Sequence, residues 1–211
     1  MSGVVMSNKV VPARARMRMF AERRFRASME LPLRFFEAEA DTISGACLAM
    51  ARRFQRGGRL LVFGEGASAT DAQHVSVEFV HPVLVGKRAL PAISLGGDAA
   101  TLTAMAGSAS SGDAFSHALQ ILGRDSDIAL GISGPSASLS TTRGLARAAQ
   151  MGMLTIGLAG ERSGPGFPSA AADFLFTVPS PDPMLVQEVH EMLYHVLWEL
   201  VHVFMEQGTV E

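Results

Sequence analysis

LLVFGEGASATDAQHVSVEFV, residues 60–80, decides how the rest of this chain is read. Leu60, Leu61, Val62 and Phe63 form an unbroken apolar run, the mark of a strand buried on both faces of a parallel sheet. Gly64 and Gly66 follow and permit a tight reversal with close backbone approach. Ser68 is expected to cap a helix whose first free N–H groups favour an anion. On that helix His74 and Glu78 lie four residues apart and share one face, so a metal or a proton can be handled beside an anion cradle.

Downstream the alternation continues. Strands are expected over Ala89–Leu95, Ile128–Ser133, Met153–Ala159 and Phe174–Val178, and helices over about Ala99–Gly107, Ala114–Leu122, Ser138–Gln150 and Leu185–Gln207. This pattern predicts an α/β domain over residues 58–207 with a doubly wound, five-stranded parallel sheet. Three loops follow predicted strands: Gly64-Glu-Gly-Ala-Ser68, Gly96-Gly-Asp98 and Ser133-Gly-Pro-Ser-Ala-Ser138. Ligands of open α/β sheets bind at the carboxyl ends of the strands, so these loops should converge on one crevice. Their hydroxyls and N–H groups suit a phosphate without a P-loop lysine, although Ser and Gly also serve simply as turn residues. Gly164–Pro168 reads as a surface loop.

Upstream, residues 1–12 read as a flexible tail ending at Pro12. Helical pattern starts near Ala13 and is expected to kink or restart at Pro32, since proline lacks the N–H and clashes with the preceding turn. A second run, Phe35 to Arg56, carries Ile43, Cys47, Leu48, Met50, Ala51 and Phe54 on a broad apolar face and stops at Gly57 and Gly58. Residues 13–57 are thus read as N-terminal helices forming an oligomerisation arm.

The net charge of −2 hides an asymmetry. Residues 1–59 carry 12 Lys and Arg against 5 acids, and the remaining 152 residues carry 6 against 15. The basic cluster of Arg14, Arg16, Arg18, Arg23, Arg24 and Arg26 is interleaved with Met17, Met19, Phe20, Phe25 and Met29. Such a helix can meet nucleic acid or a membrane surface, but the reading preferred is packing on an acidic neighbouring subunit. At 211 residues and 48% hydrophobic the chain supports one sizeable core. No apolar run reaches the roughly 18 residues of a membrane span, and the first ten residues lack a secretory pattern. With Cys47 alone, no internal disulfide is available, so a cytoplasmic setting is expected.

The run GEGASATDAQHVSVEF, followed by RALPAISLGGDAATLTA, IALGIS, GMLTIGLAG and VQEVHEMLYHVLWELVHVF, resembles the SIS (sugar isomerase) domain in its bacterial phosphoheptose isomerase branch. The resemblance spans about Gly58 to Glu206. It implies a flavodoxin-like α/β/α sandwich and a homotetramer with active sites at subunit interfaces. It also implies a phosphosugar aldose–ketose isomerase that converts sedoheptulose 7-phosphate to D-glycero-D-manno-heptose 7-phosphate through an enediol. Zinc is implied as cofactor, one ion per site, on His74, Glu78, Gln187 and His195. Glu78 is implied as base and His195 as acid. Gly66, Ser68, Asp98, Ser133, Ser136 and Ser138 are implied for substrate and phosphate.

Two imidazoles, a carboxylate and an amide oxygen make a plausible zinc shell, and enediol chemistry needs a base beside the carbonyl and an acid on its oxygen. Gln187 and His195 are eight residues apart, a rise of about 12 Å with directions differing by about 80°, which favours a site completed at an interface. His190 and His202 are read as polar-face helix histidines.

Departures from the family pattern leave the metal residue types in place and alter the substrate site beside them. Glu65 stands where the family usually has Asn, and the loop usually written ISTSGNS is ISGPSAS, with Gly134 for Thr and Pro135 for Ser. Pro82 replaces an Arg, Gly107-Ser108 replace an Asn-Asp pair, and Pro183-Met-Leu-Val186 replace a short polar stretch. Three readings follow: the isomerase; a metal-bearing SIS protein with another sugar or sugar phosphate as ligand; and a non-catalytic regulatory or interaction module, as in replication-initiator-associating relatives. The retained Glu78 and His195 weigh against the last, and binding to nucleic acid or membrane is not expected.

Overall fold

The computed structural model describes residues 13–108, 114–163 and 172–208. Five parallel strands form one sheet: β1 (Leu60–Gly64), β2 (Ala92–Ser94), β3 (Ile128–Ile132), β4 (Leu154–Gly160) and β5 (Phe174–Val178), in the order β2-β1-β3-β4-β5. The connecting helices are α1 (Ala13–Gln55), α2 (Ala67–Val80), α3 (Ala99–Ser108), α4 (Ala114–Leu122), α5 (Leu139–Gln150) and α6 (Pro183–Gln207), with one 3₁₀ turn at Glu161–Ser163. This is the doubly wound sandwich expected from the alternating pattern.

Alternation along β1 divides the core between two layers. Leu60 and Val62 join a cluster with Cys47 and Met50 of α1, Val75 and Phe79 of α2, and Leu193 and Leu197 of α6. Leu61 and Phe63 join Phe115 and Leu119 of α4 and Leu145 of α5 on the other face. Every residue of β1, β3 and β4 is buried, which explains why they read as continuous apolar runs. No helix among the described residues is long and apolar enough to cross a membrane.

Several local expectations need correction. α1 is a single helix running through Pro32 instead of two. The missing N–H and ring clash cost about 3 kcal/mol. Leu31 and Phe35 are buried on either side, each contributing about 1.5–3 kcal/mol, so packing outweighs the break. β2 is shorter than Ala89–Leu95, and α6 starts at Pro183 because Asp182 accepts from the N–H groups of Met184 and Leu185. Residues 1–12 and the loop at 164–168 lie outside the described residues.

Within α1, no residue before Leu31 is buried. That segment presents Met17, Phe20, Phe25 and Met29 to solvent, and Arg24 reaches back to Asp182 (3.3 Å) and Glu188 (2.8 Å) on α6. Part of the basic arm is therefore neutralised within its own chain.

Candidate active site

The turn after β1 fixes the start of α2 by sterics. A Cβ on Gly64 would lie 2.7 Å from the Ser68 Cβ and 2.8 Å from the Ile132 carbonyl oxygen, so only glycine fits there. Gly66 has φ of 60° and occupies the N-cap position with no side-chain cap. Ser68 is not the cap expected of it. It lies inside the first turn, 7% exposed.

One turn further, α2 and α6 bring their polar groups together. Glu78 Oε1 lies 3.3 Å from His74 Nε2 and 3.1 Å from His195 Nε2. The His74 and His195 rings are 5.3 Å apart, nearly perpendicular. The buried Tyr194 hydroxyl is 3.0 Å from His74 Nδ1, and Trp198 Nε1–H donates to the Glu78 carbonyl oxygen at 3.0 Å, locking α2 onto α6. Burial, and then the charges of Asp71, Glu191 and Glu78, hold the Tyr194 phenol well above its ordinary value, so it stays neutral. A neutral phenol donating to Nδ1 leaves the His74 proton on Nε2, facing Glu78. A metal on Nε2 would reverse that tautomer, with Nδ1–H donating to the tyrosine oxygen.

The donor spacing suits a small divalent ion. Tetrahedral ligands about 2.0–2.1 Å from a zinc ion are about 3.3–3.4 Å from each other, close to the separations around Glu78. Glu191 also brings a carboxylate within 4.8 Å of the His74 and His195 nitrogens. Gln187 points elsewhere: its amide donates to Asp71 Oδ1 at 3.0 Å. Burial pushes the Asp71 carboxyl up, an effect the Gln187 hydrogen bond opposes.

At the other end of the crevice, Ser138 caps α5. Its Oγ accepts from Thr141 N–H at 3.2 Å and donates to Glu65 Oε2. Ser133 is buried and its Oγ accepts from Ser138 N–H at 3.4 Å, while Ser136 is exposed. Asp98 caps α3, and the Thr101 hydroxyl, followed by the N–H groups of Thr101 and Ala100, holds its carboxyl below the ordinary range. Between the two ends lies a cleft of about 140 Å³ lined by Ser68, Asp71, Pro135, Gln187 and His190 among others. His190 is not on a polar face. It is 1% exposed, with Nε2 donating to the Ala159 carbonyl at 3.2 Å, and burial pushes its pKa down to about 4. His202 is likewise buried, between the carbonyls of Trp198 and Arg88.

The SIS domain family matches residues 24–160. A phosphoheptose isomerase of Desulfovibrio desulfuricans is 37% identical over 175 residues, 83% of this chain and 82% of that protein. The chain belongs to the phosphoheptose isomerase family of SIS-domain proteins. A relative of the same name from Aquifex aeolicus is 36% identical over 177 residues, covering 84% of this chain and 92% of its own. Solved phosphoheptose isomerases from Neisseria gonorrhoeae and Francisella tularensis match this fold with TM-scores of 0.79 and 0.76, each at 26% identity. They cover 88% and 90% of this chain and 99% and 98% of theirs.

For a phosphoheptose isomerase family member, the arrangement is uneven. His74, Glu78 and His195 converge, whereas Gln187 is engaged by Asp71 and Asp98 by its own helix. Sequence reading missed Asp71, Tyr194 and Glu191. The signal available was spacing: Gln187, Glu191 and His195 follow one another at four-residue steps along one face of α6.

Proposed function

We propose that this chain is an aldose–ketose isomerase of phosphosugars, with sedoheptulose 7-phosphate as the substrate its family membership points to. The observation that carries the reading is the convergence of Glu78 with both His74 and His195 where α2 packs against α6. Isomerisation shifts a proton between two adjacent carbons. Glu78 takes the proton from the carbon beside the carbonyl, His195 supplies one to the carbonyl oxygen, and the enediol then collapses in the opposite sense. His74 and Tyr194 keep Glu78 and its neighbours oriented.

We assign His74, Glu78 and His195 as ligands for zinc, with Gln187 joining after leaving Asp71. When bound, the ion supplies Lewis-acid polarisation of the sugar's oxygens. The exposed apolar stripe of Met17, Phe20, Phe25, Met29 and Leu33 supports a role for α1 in a homotetramer. The single buried thiol, Cys47, pushed up to about 12 by burial, suits a cytoplasmic protein.

The test is NMR observation of sedoheptulose 7-phosphate with the zinc-loaded protein. Appearance of the aldoheptose signals supports the assignment. A folded, zinc-bearing protein that leaves the ketose unchanged overturns it.

A further inference from the structure

The strand order turns around between β1 and β3: from β1 the sheet grows to β2 on one side, and from β3 to β4 and β5 on the other. An open parallel sheet takes its ligand above such a point. The two walls there are the turn after β1, carrying Glu65, and the loop after β3, ending in Ser138. These walls are joined by a side-chain bond, the Ser138 hydroxyl donating to Glu65 Oε2.

That bond has a chemical consequence. Ser138 sits at the start of α5 and already accepts from Thr141 N–H, so its one proton is the group it can offer an incoming anion. A carboxylate of the same chain holds it. Glu65 takes part in no ion pair among the described residues, so its charge has no cationic partner there. Among the described residues the adjoining cleft has Asp71 in its wall and no Lys or Arg, and Pro135 removes one N–H from the loop. His190, the remaining basic group of that wall, is buried and spends one ring N–H on Ala159.

We propose that Glu65 is the specificity-determining residue of this crevice: its carboxylate occupies the position in which the substrate's terminal anionic group is received. A phosphate monoester must displace Glu65 from Ser138 to be held there, and the two like charges oppose one another. The unmodified chain therefore holds a phosphate end less tightly than the same chain with a neutral residue at position 65. This rests on the isomerase reading for the kind of ligand, and not on turnover.

The test titrates inorganic phosphate into the full chain at pH 8 and fixed ionic strength, by calorimetry or by ³¹P NMR. Glu65→Gln, which keeps the shape and removes the charge, should bind phosphate at least tenfold more tightly than wild type, and Glu65→Asn should do the same. Adding Ser138→Ala to Glu65→Gln should remove that gain, which locates the ion at this wall and not at the histidines. Glu65 is exposed, and circular dichroism checks that each variant is folded. Affinity for phosphate within twofold of wild type in both single variants overturns the proposal, as does a gain that survives Ser138→Ala. Wild-type isomerase activity with unchanged phosphate affinity in the variants would sink this inference alone. Tighter phosphate binding with no turnover in any variant would sink the isomerase reading alone.

Discussion

The two ends of the crevice are built differently. At the histidine end, Glu78, His74 and His195 project from α2 and α6, long helices packed on the same core cluster and pinned by Trp198 and Tyr194. At the other end, Glu65, Ser133, Pro135 and Ser136 belong to short loops, with Ser138 at the junction of loop and helix. Groups on packed helices are held in place by the core that folds the protein. Loops can be rewritten with little cost to that core. Of the departures from the family pattern, Glu65, Pro82, Gly134 and Pro135 fall on loops and Gly107-Ser108 and Pro183–Val186 at helix ends, while His74, Glu78 and His195 stand within packed helices.

This contrast can be broken at the histidine end first. Glu78→Gln should lower turnover of sedoheptulose 7-phosphate by about three orders of magnitude, with far-UV circular dichroism unchanged. A variant keeping a tenth of wild-type activity would show that the cluster does not carry the chemistry.

His190, between the ends, gives the next largest effect. Its pKa falls from 6.5 to about 4 on folding, so below pH 6.5 the unfolded chain gains a proton that the native chain refuses. Stability is full above pH 6.5, declines as pH falls toward 4, and loses about 3 kcal/mol over that window. Urea melts at pH 7 and pH 4 should show that loss in wild type and a smaller one in His190→Gln. Equal losses would mean that the ring charges without resistance, giving the cleft wall a cation in mild acid.

Two metal measurements sharpen the comparison further. His74→Ala should reduce zinc retained after loading and desalting by at least tenfold, by elemental analysis, while leaving phosphate affinity nearly unchanged. Glu191→Gln should weaken zinc by only a few fold in a chelator competition, because Glu191 is exposed and lies outside the tight spacing around Glu78. A loss as large as that of His74→Ala would make Glu191 a full ligand.

Much of the architecture could be read directly from residue pattern. Leu60–Phe63, Ile128–Ile132 and Leu154–Ala159 announced themselves because buried parallel strands need no polar alternation. The helix does not restart at Pro32, and local propensity cannot register Leu31 and Phe35 docking into the core on both sides of the proline. His190 and His202 were misjudged for a related reason. α6 packs on α1, α2 and the sheet within one core cluster, so its buried arc is wider than a surface helix allows, and imidazoles there find backbone carbonyls. In the site, the four-residue step from His74 to Glu78 was visible, and so was the match at His195. The Asp71–Gln187 and Glu65–Ser138 bonds join residues 116 and 73 positions apart, and no local pattern encodes such pairs.

Trp198 is the only tryptophan in the chain, and its indole N–H is bonded to the backbone of Glu78. Any shift of α2 against α6 therefore changes the surroundings of a single intrinsic fluorophore. The protein carries its own optical gauge of the histidine end, readable in unlabelled material as metal is added or withdrawn. The Glu65 wall has no such reporter and stays dark in the same experiment.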